Sequence, residues 1–299
     1  MNDRRPLLCE QISFCSQSSL SRQEPLSATA SNYHAYILIE YPAPFPAKIS
    51  ETRIDGAWLH QINDFAKDRN AKVILIRNSK TSVDHLKIIF VDAVRQTWCS
   101  YAFSGHHYKY FSLKLYVEAE DTQWHSAPFF LVCTNGKKDK CCAKFGLPVY
   151  QALEQIQKFP VFEASHFGGD RFAGNAILMP YGIYYGRLKP TQAYELSQLT
   201  AADKILPENY RGISTLNFAR QSAECWLRKH LNNCDLQFAV SFLSQNIQDG
   251  HILMKVEAEG RQFLLTLKKK TSENHYLLTC KSAKPEPITR YEVAEFTEF

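Results

Sequence analysis

At 299 residues, with 45% hydrophobic and 13% aromatic side chains, the chain carries enough apolar material for one large domain or two modest ones. Its formal charge of +5 is scattered, with short runs only at Lys137-Lys138 and Lys268-Lys269-Lys270, which argues against a nucleic-acid partner. No stretch approaches the roughly 20 apolar residues that a bilayer span needs, and Met1-Asn-Asp-Arg-Arg-Pro6 opens no secretory run, so a cytoplasmic protein with no membrane partner is expected.

Residues 1–33 are polar and Ser-rich and read as a loosely ordered lead-in. Ala35–Glu40 is a short apolar run of strand formers, stopped by Pro42-Ala-Pro-Phe-Pro46. Ala57–Ala66 repeats its apolar positions at helical spacing, and Lys72–Arg77 is a second strand run. Strand, helix, strand is the signal of a sheet with helices packed on it. Lys87–Asp92 and Thr97–Phe103 read as paired strands, and Phe129–Cys133 as another. A helix over Leu147–Lys158 and a strand over Pro160–Ala164 follow. Asn175–Met179 and Ile183–Arg187 are strands about the turn sequence Pro180-Tyr-Gly182, and a helix spans Thr191–Leu199. Beyond Pro207 the pattern restarts, with a helix over Leu216–Leu231 and strands at 237–244, 251–257 and 262–268. The expected organisation is the lead-in, a main α/β domain over 34–205 and a small α+β domain over 210–299, with no internal repeat.

Nine cysteines, an odd number, argue against a disulfide framework in such a chain, and most are expected to be reduced. One region asks for chemistry. Cys133-Thr-Asn-Gly-Lys-Lys-Asp-Lys-Cys141-Cys142 and Ser165-His166-Phe-Gly-Gly-Asp170-Arg171 put three thiols, an imidazole and a carboxylate on two Gly-containing loops. Soft sulfur with imidazole nitrogen suits iron or zinc. Structural zinc sites favour close Cys-x-x-Cys pairs, whereas eight residues separate Cys133 from Cys142. Both loops follow strands, and sites in open α/β sheets gather at the carboxyl ends of strands.

Other candidates are set aside. His106 and His107 are neighbours that would point to opposite faces of a strand. Asp84-His85 and His125 read as polar surface, and Glu24 and Glu40 have no base or nucleophile beside them. Ser165 lacks a nucleophile elbow, no phosphate-binding Gly loop occurs, and Cys225 and Cys234 read as core or surface thiols.

The two motifs, with Ala143-Lys-Phe-Gly146, Gly182-Ile-Tyr-Tyr-Gly-Arg187, the Cys15–Ala30 segment and Ile39-Glu-Tyr-Pro42, resemble the sucrase/ferredoxin-like family over about residues 15–190. The resemblance implies a thioredoxin-like ferredoxin fold. It also implies, as in some members, a [2Fe–2S] cluster held by two Cys and the two His of a His-x-Gly-Gly-His segment. Carried over by position, the ligands are Cys133, Cys142 and His166, with Asp170 standing where the second His belongs. Asn135 and Lys138 also replace a His and an Arg common in the first motif. These changes imply either altered ligation or a lost cluster.

The expected function is that of an electron carrier rather than an enzyme, a [2Fe–2S] protein passing single electrons to or from a redox partner protein. Two alternatives stand beside it: a cluster-free thiol redox protein using Cys141 or Cys142, and a cluster-free interaction module. Sugar hydrolysis has no paired carboxylates to support it.

Overall fold

The computed structural model describes residues 14–82, 85–105 and 107–299; Cys9, Asp84 and His106 lie outside them. In chain order the first elements are α1 (Cys15–Ser21), β1 (Ala35–Glu40), α2 (Gly56–Asp68), β2 (Ala71–Arg77), β3 (His85–Asp92), β4 (Thr97–Ser104) and α3 (Leu113–Glu118). Then come β5 (Phe129–Cys133), α4 (Leu147–Ile156), β6 (Val161–Ala164), β7 (Ala176–Met179), β8 (Ile183–Tyr185), α5 (Ala193–Ala201) and β9 (Tyr210–Ile213). The chain finishes with α6 (Phe218–Leu231), β10 (Ser241–Gln248), β11 (His251–Ala258), β12 (Arg261–Tyr276) and β13 (Glu286–Glu298).

A nine-stranded sheet, in the order β4-β3-β1-β2-β6-β5-β7-β8-β9, forms the body of the molecule. Within it one topology occurs twice. In the first unit β1 and β2 are parallel across α2, β3 returns antiparallel against β1, and β4 pairs antiparallel with β3. In the second, β5 and β6 are parallel across α4, β7 returns against β5, and β8 pairs with β7. A helix follows each fourth strand, and this βαβββα connectivity, with its second-first-third-fourth strand order, is thioredoxin-like. The expected absence of a repeat is therefore corrected at the level of structure. Side-chain alternation and helix period are all that the two units need in common, so their residues have no cause to match.

The units join where β2 and β6 overlap antiparallel at their carboxyl ends, with Ile76 opposite Ala164 and Arg77 opposite Glu163. Arg77 reaches both carboxylate oxygens of Glu163, at 3.0 and 3.2 Å. Strand alternation then sorts the core. Ala35, Ile37 and Ile39 face α2, with Trp58, Ile62 and Phe65, while Tyr36 and Leu38 face the opposite layer. That opposite layer runs across both units and contains Leu131, Ile177, Tyr184, Cys133 and Cys142.

Beyond residue 205 the main sheet continues, because β9 pairs with β8 before the chain leaves it. The second sheet is an antiparallel meander, β10-β11-β12-β13. One face packs Met254, Val256, Phe263 and Leu265 on Ala219, Ala223 and Leu227 of α6.

The described part of the lead-in, residues 14–33, is better fixed than its composition suggests, and residues 1–13 lie outside the described residues. Cys15, Ser16 and Ser19 of α1 are buried, and Gln221 of α6 bonds both backbone groups of Ala30. Glu24 is the hub: Ser19 Oγ donates to it at 2.8 Å, and Arg22 and Arg171 reach it at 2.6 and 2.7 Å. Burial opposes its charge, yet Arg171 and the other donors bring its carboxyl below the usual range. Polar order of this kind carries no periodic signature, which is why a Ser-rich stretch reads as loose.

Candidate metal centre

β5 ends on Cys133, whose N–H donates to Asn175 O at 3.0 Å. The chain then turns through Thr134 and Asn135. Thr134 Oγ1 donates to Glu163 at 2.7 Å, and Asn135 Nδ2 donates to Pro46 O of the first unit at 2.8 Å. Asn135 therefore ties this loop to the first unit's Pro-rich loop. Cys142 opens a π-helical turn, Cys142–Gly146, that leads directly into α4. Gly146 is required there, since a Cβ would collide with Cys133 O.

His166 stands two residues beyond β6. Ser165 just before it extends the strand pairing, its N–H donating to Leu75 O at 2.8 Å and its Oγ accepting from Leu75 N at 2.9 Å. Ser165 is thus a positioning residue. Because β5 and β6 are parallel, Cys133 and His166 emerge at the same rim of the sheet.

Cys133, Cys142 and His166 bring their donor atoms within 4.8 Å of one another. The two thiols are 2% and 1% exposed, so water has little access to the sulfurs. Asp170, also buried, places Oδ1 3.4 Å from Cys142 Sγ and 2.9 Å from His166 Nδ1. That imidazole nitrogen is buried and lacks the geometry of a hydrogen bond to any group, so its contact with Asp170 is an ion pair.

As protein groups alone, these residues divide their protons unevenly. Cys133 is lowered to about 6, chiefly because it accepts from Cys142, with His166 adding to the effect. Cys142 is raised for the complementary reason, donating to Cys133 while buried beside Asp170. Burial works against a charged His166, but Asp170 and Cys133 outweigh it and raise the imidazole to about 9. The site is built to hold thiolate beside a cation.

Behind it lies a residue that sequence reasoning missed. Arg211, on β9, is almost wholly buried and has its pKa lowered by that burial to about 10, so it remains a cation. It donates to Thr29 O at 2.6 Å and to Asn175 Oδ1 at 2.8 Å, while Asn175 Nδ2 donates to Gly169 O at 2.8 Å. One network thus fixes the Cys133 backbone and the Gly168-Gly169 loop together. Gly169 has φ +82°, and a Cβ there would strike the Arg211 guanidinium. No local pattern around Arg211 could have flagged it, since its partners lie far away in sequence.

A model of the sucrase/ferredoxin-like family matches residues 26–212, which hold the whole site. The chain belongs to the sucrase/ferredoxin-like family. No curated protein matches it. Among solved structures it is similar to a thioredoxin-like [2Fe–2S] ferredoxin from Aquifex aeolicus, at 16% identity over 28% of this chain and 89% of that one, with a TM-score of 0.26. A Cys-to-Ser variant of that ferredoxin gives 16% identity, 28% and 96% coverage and the same TM-score.

The donors present, two buried thiols and an imidazole with a carboxylate beside them, suit a metal centre in their chemistry. The remaining sequence candidates are not drawn in. Glu40 is half-buried at the end of β1, and burial raises its pKa against the pull of Lys87. His125 packs against Trp98 with the rings tilted by 39° and their centroids 4.6 Å apart. Cys225 and Cys234 border a cleft of about 550 Å³ beside Pro25, Arg187 and α6. Among the described residues no helix is long and apolar enough to cross a membrane.

Proposed function

We propose that this protein is a one-electron carrier holding a [2Fe–2S] cluster through Cys133, Cys142, His166 and Asp170. The observation that carries this reading is the convergence of two buried thiols and an imidazole at one rim of the second unit. When bound, such a cluster supplies one-electron chemistry at a potential that its ligands and their surroundings set.

The chain's own residues account for the rest. Cys133 and Cys142 give up their protons to bind iron, and their burial keeps the sulfurs dry. Asp170 contributes a carboxylate where relatives with two imidazoles have a neutral ligand, which favours the oxidised state. Arg211, cationic and buried behind the Gly169 loop, offsets that added charge. His166 is the most open of the four side chains, at 21% exposure, and marks the edge from which an electron would leave. The exposed Lys137, Lys138, Lys140 and Lys144 on the neighbouring loop and turn suit a redox partner protein with an acidic face.

The test is anaerobic purification followed by iron and sulfide analysis, the visible spectrum and EPR of the dithionite-reduced protein. About two irons and two sulfides per chain with an S = 1/2 signal are expected. A folded chain that stays colourless and iron-free after reconstitution would reject the reading.

A further inference from the structure

Cys141 turns away from Cys142 into a second cluster of donors. Its Sγ lies 3.5 Å from Cys15 Sγ and 3.3 Å from Cys280 Sγ, and Cys15 and Cys280 are 3.6 Å apart. Asp139 completes the group, with Oδ2 3.9 Å from Cys15 Sγ, and all four donor atoms fall within 4.8 Å of one another. These residues come from three remote places: the start of α1, the loop after β5, and the connection between β12 and β13. Cys15 and Cys280 lie outside the residues that the family model matches.

We propose that Cys15, Asp139, Cys141 and Cys280 form a structural Zn²⁺ site. With Zn–S bonds of about 2.3 Å, the sulfurs of a tetrahedral site stand about 3.8 Å apart, close to the three spacings found here. Three thiols and one carboxylate make a closed set of four, leaving no open position for a substrate. A disulfide would use two sulfurs and strand the third beside a buried carboxylate; the three-way contact favours a shared ion instead. Binding releases the ion's coordinated waters and three thiol protons to solvent and forms three Zn–S bonds and one Zn–O bond.

The surroundings match that assignment. Cys15 N–H points to Cys280 Sγ at 3.4 Å and Ser16 Oγ donates to Cys141 Sγ at 3.3 Å, the outer hydrogen bonds that stabilise thiolate ligands. Asp139 is fully buried and held by the Cys141 N–H at 2.9 Å and the Cys280 N–H at 2.7 Å, so its carboxylate is oriented by the ligands' own backbone. Lys140 and Lys144 flank Phe14 beside the group, and Lys281 reaches Lys137 O, placing cations around three thiolates. The ion would clasp the N-terminal segment and the second sheet to the loop that carries Cys142.

Metal analysis of the 299-residue chain purified with zinc in the medium is the test. About one Zn²⁺ per chain is expected in wild type and in Cys133→Ser, with at least about a tenfold loss in Cys280→Ser while iron is retained. Should Cys280→Ser fail to fold, Co²⁺ titrated into the Cys133→Ser chain reads the same site through tetrahedral, thiolate-rich ligand-field bands. Four results would overturn the assignment: no zinc or Co²⁺ uptake, full zinc in Cys280→Ser, zinc lost with Cys133→Ser, or a disulfide among Cys15, Cys141 and Cys280. Absence of iron alone would defeat the cluster reading and leave this one standing.

Discussion

The two thioredoxin-like units repeat one topology but end their parallel strands on different chemistry. In the first, β1 closes on Glu40 and passes into Pro42-Ala-Pro-Phe-Pro46, and β2 closes on Arg77, with Asn78 just past it. In the second, the corresponding ends carry Cys133 and, two residues past β6, His166. The first unit serves instead as a wall. Its Pro46 carbonyl accepts from Asn135, and its Arg77 holds Glu163 while lying over the Phe45 ring. The fold supplies a rim of convergent loops twice, and among the described residues a donor set converges at the second unit's rim; function follows the side chains, not the topology.

That asymmetry can be broken most sharply at a ligand. Cys133→Ser should lower iron content by at least about tenfold, since losing a direct ligand exceeds the outer-shell effect on metal sites. Iron retained at wild-type level would remove Cys133 from the site. The converse substitution, Glu40→Cys, should leave iron content unchanged, because among the described residues Glu40 belongs to no group of converging donors.

Charge at the fourth position sets the next largest effect. Asp170→His exchanges an anionic ligand for a neutral one and should raise the reduction potential by on the order of 100 mV. Protein-film voltammetry of both proteins measures it, and an equal or lower potential in the variant would contradict the assigned role of Asp170.

Backbone geometry gives a smaller, structural contrast. Gly169→Ala puts a Cβ at positive φ against Arg211 and should cost about 1–3 kcal/mol, read as a lower urea midpoint. Gly56→Ala, in the first unit's helix, meets no neighbour and should leave that midpoint level or higher.

The metal-free chain offers a pH test. Cys133, lowered from 9.0 to about 6, contributes stability that is full above pH 9 and lost as pH falls through 6. His166, raised from 6.5 to about 9, contributes stability that is full below pH 6.5 and lost as pH rises through 9. The two slopes oppose each other, so stability should stay nearly level across that window. His166→Gln removes one slope and, because His166 also helps hold Cys133 down, should leave stability rising with pH toward 9 over a narrower window than Cys133 alone would give in wild type. Urea midpoints of the variant that stay level would show that Cys133 is not a thiolate there.

Sequence pattern reached the local half of this architecture. The run Phe129–Cys133 ends where β5 ends, and Ala35–Glu40 coincides with β1, because alternation and apolar runs report the faces a strand must bury. His166 and Cys142 were legible through motif resemblance. The second thiol cluster was not, since Cys15 and Cys141 are 126 positions apart and Cys141 and Cys280 are 139 apart. Cys141 alone looks like a spare thiol beside Cys142; only the three-dimensional path of α1 and the β12–β13 connection gives it partners. Arg211 escaped for the same reason, its contacts with Thr29 and Asn175 spanning 182 and 36 residues.

The most direct measurement is pulsed EPR of the reduced protein at the nitrogen frequencies, on wild type and His166→Gln. The account predicts couplings from one imidazole in wild type and none in the variant. Couplings from two imidazoles, none in wild type, or a wild-type pattern unchanged in His166→Gln would contradict ligation by Cys133, Cys142, His166 and Asp170.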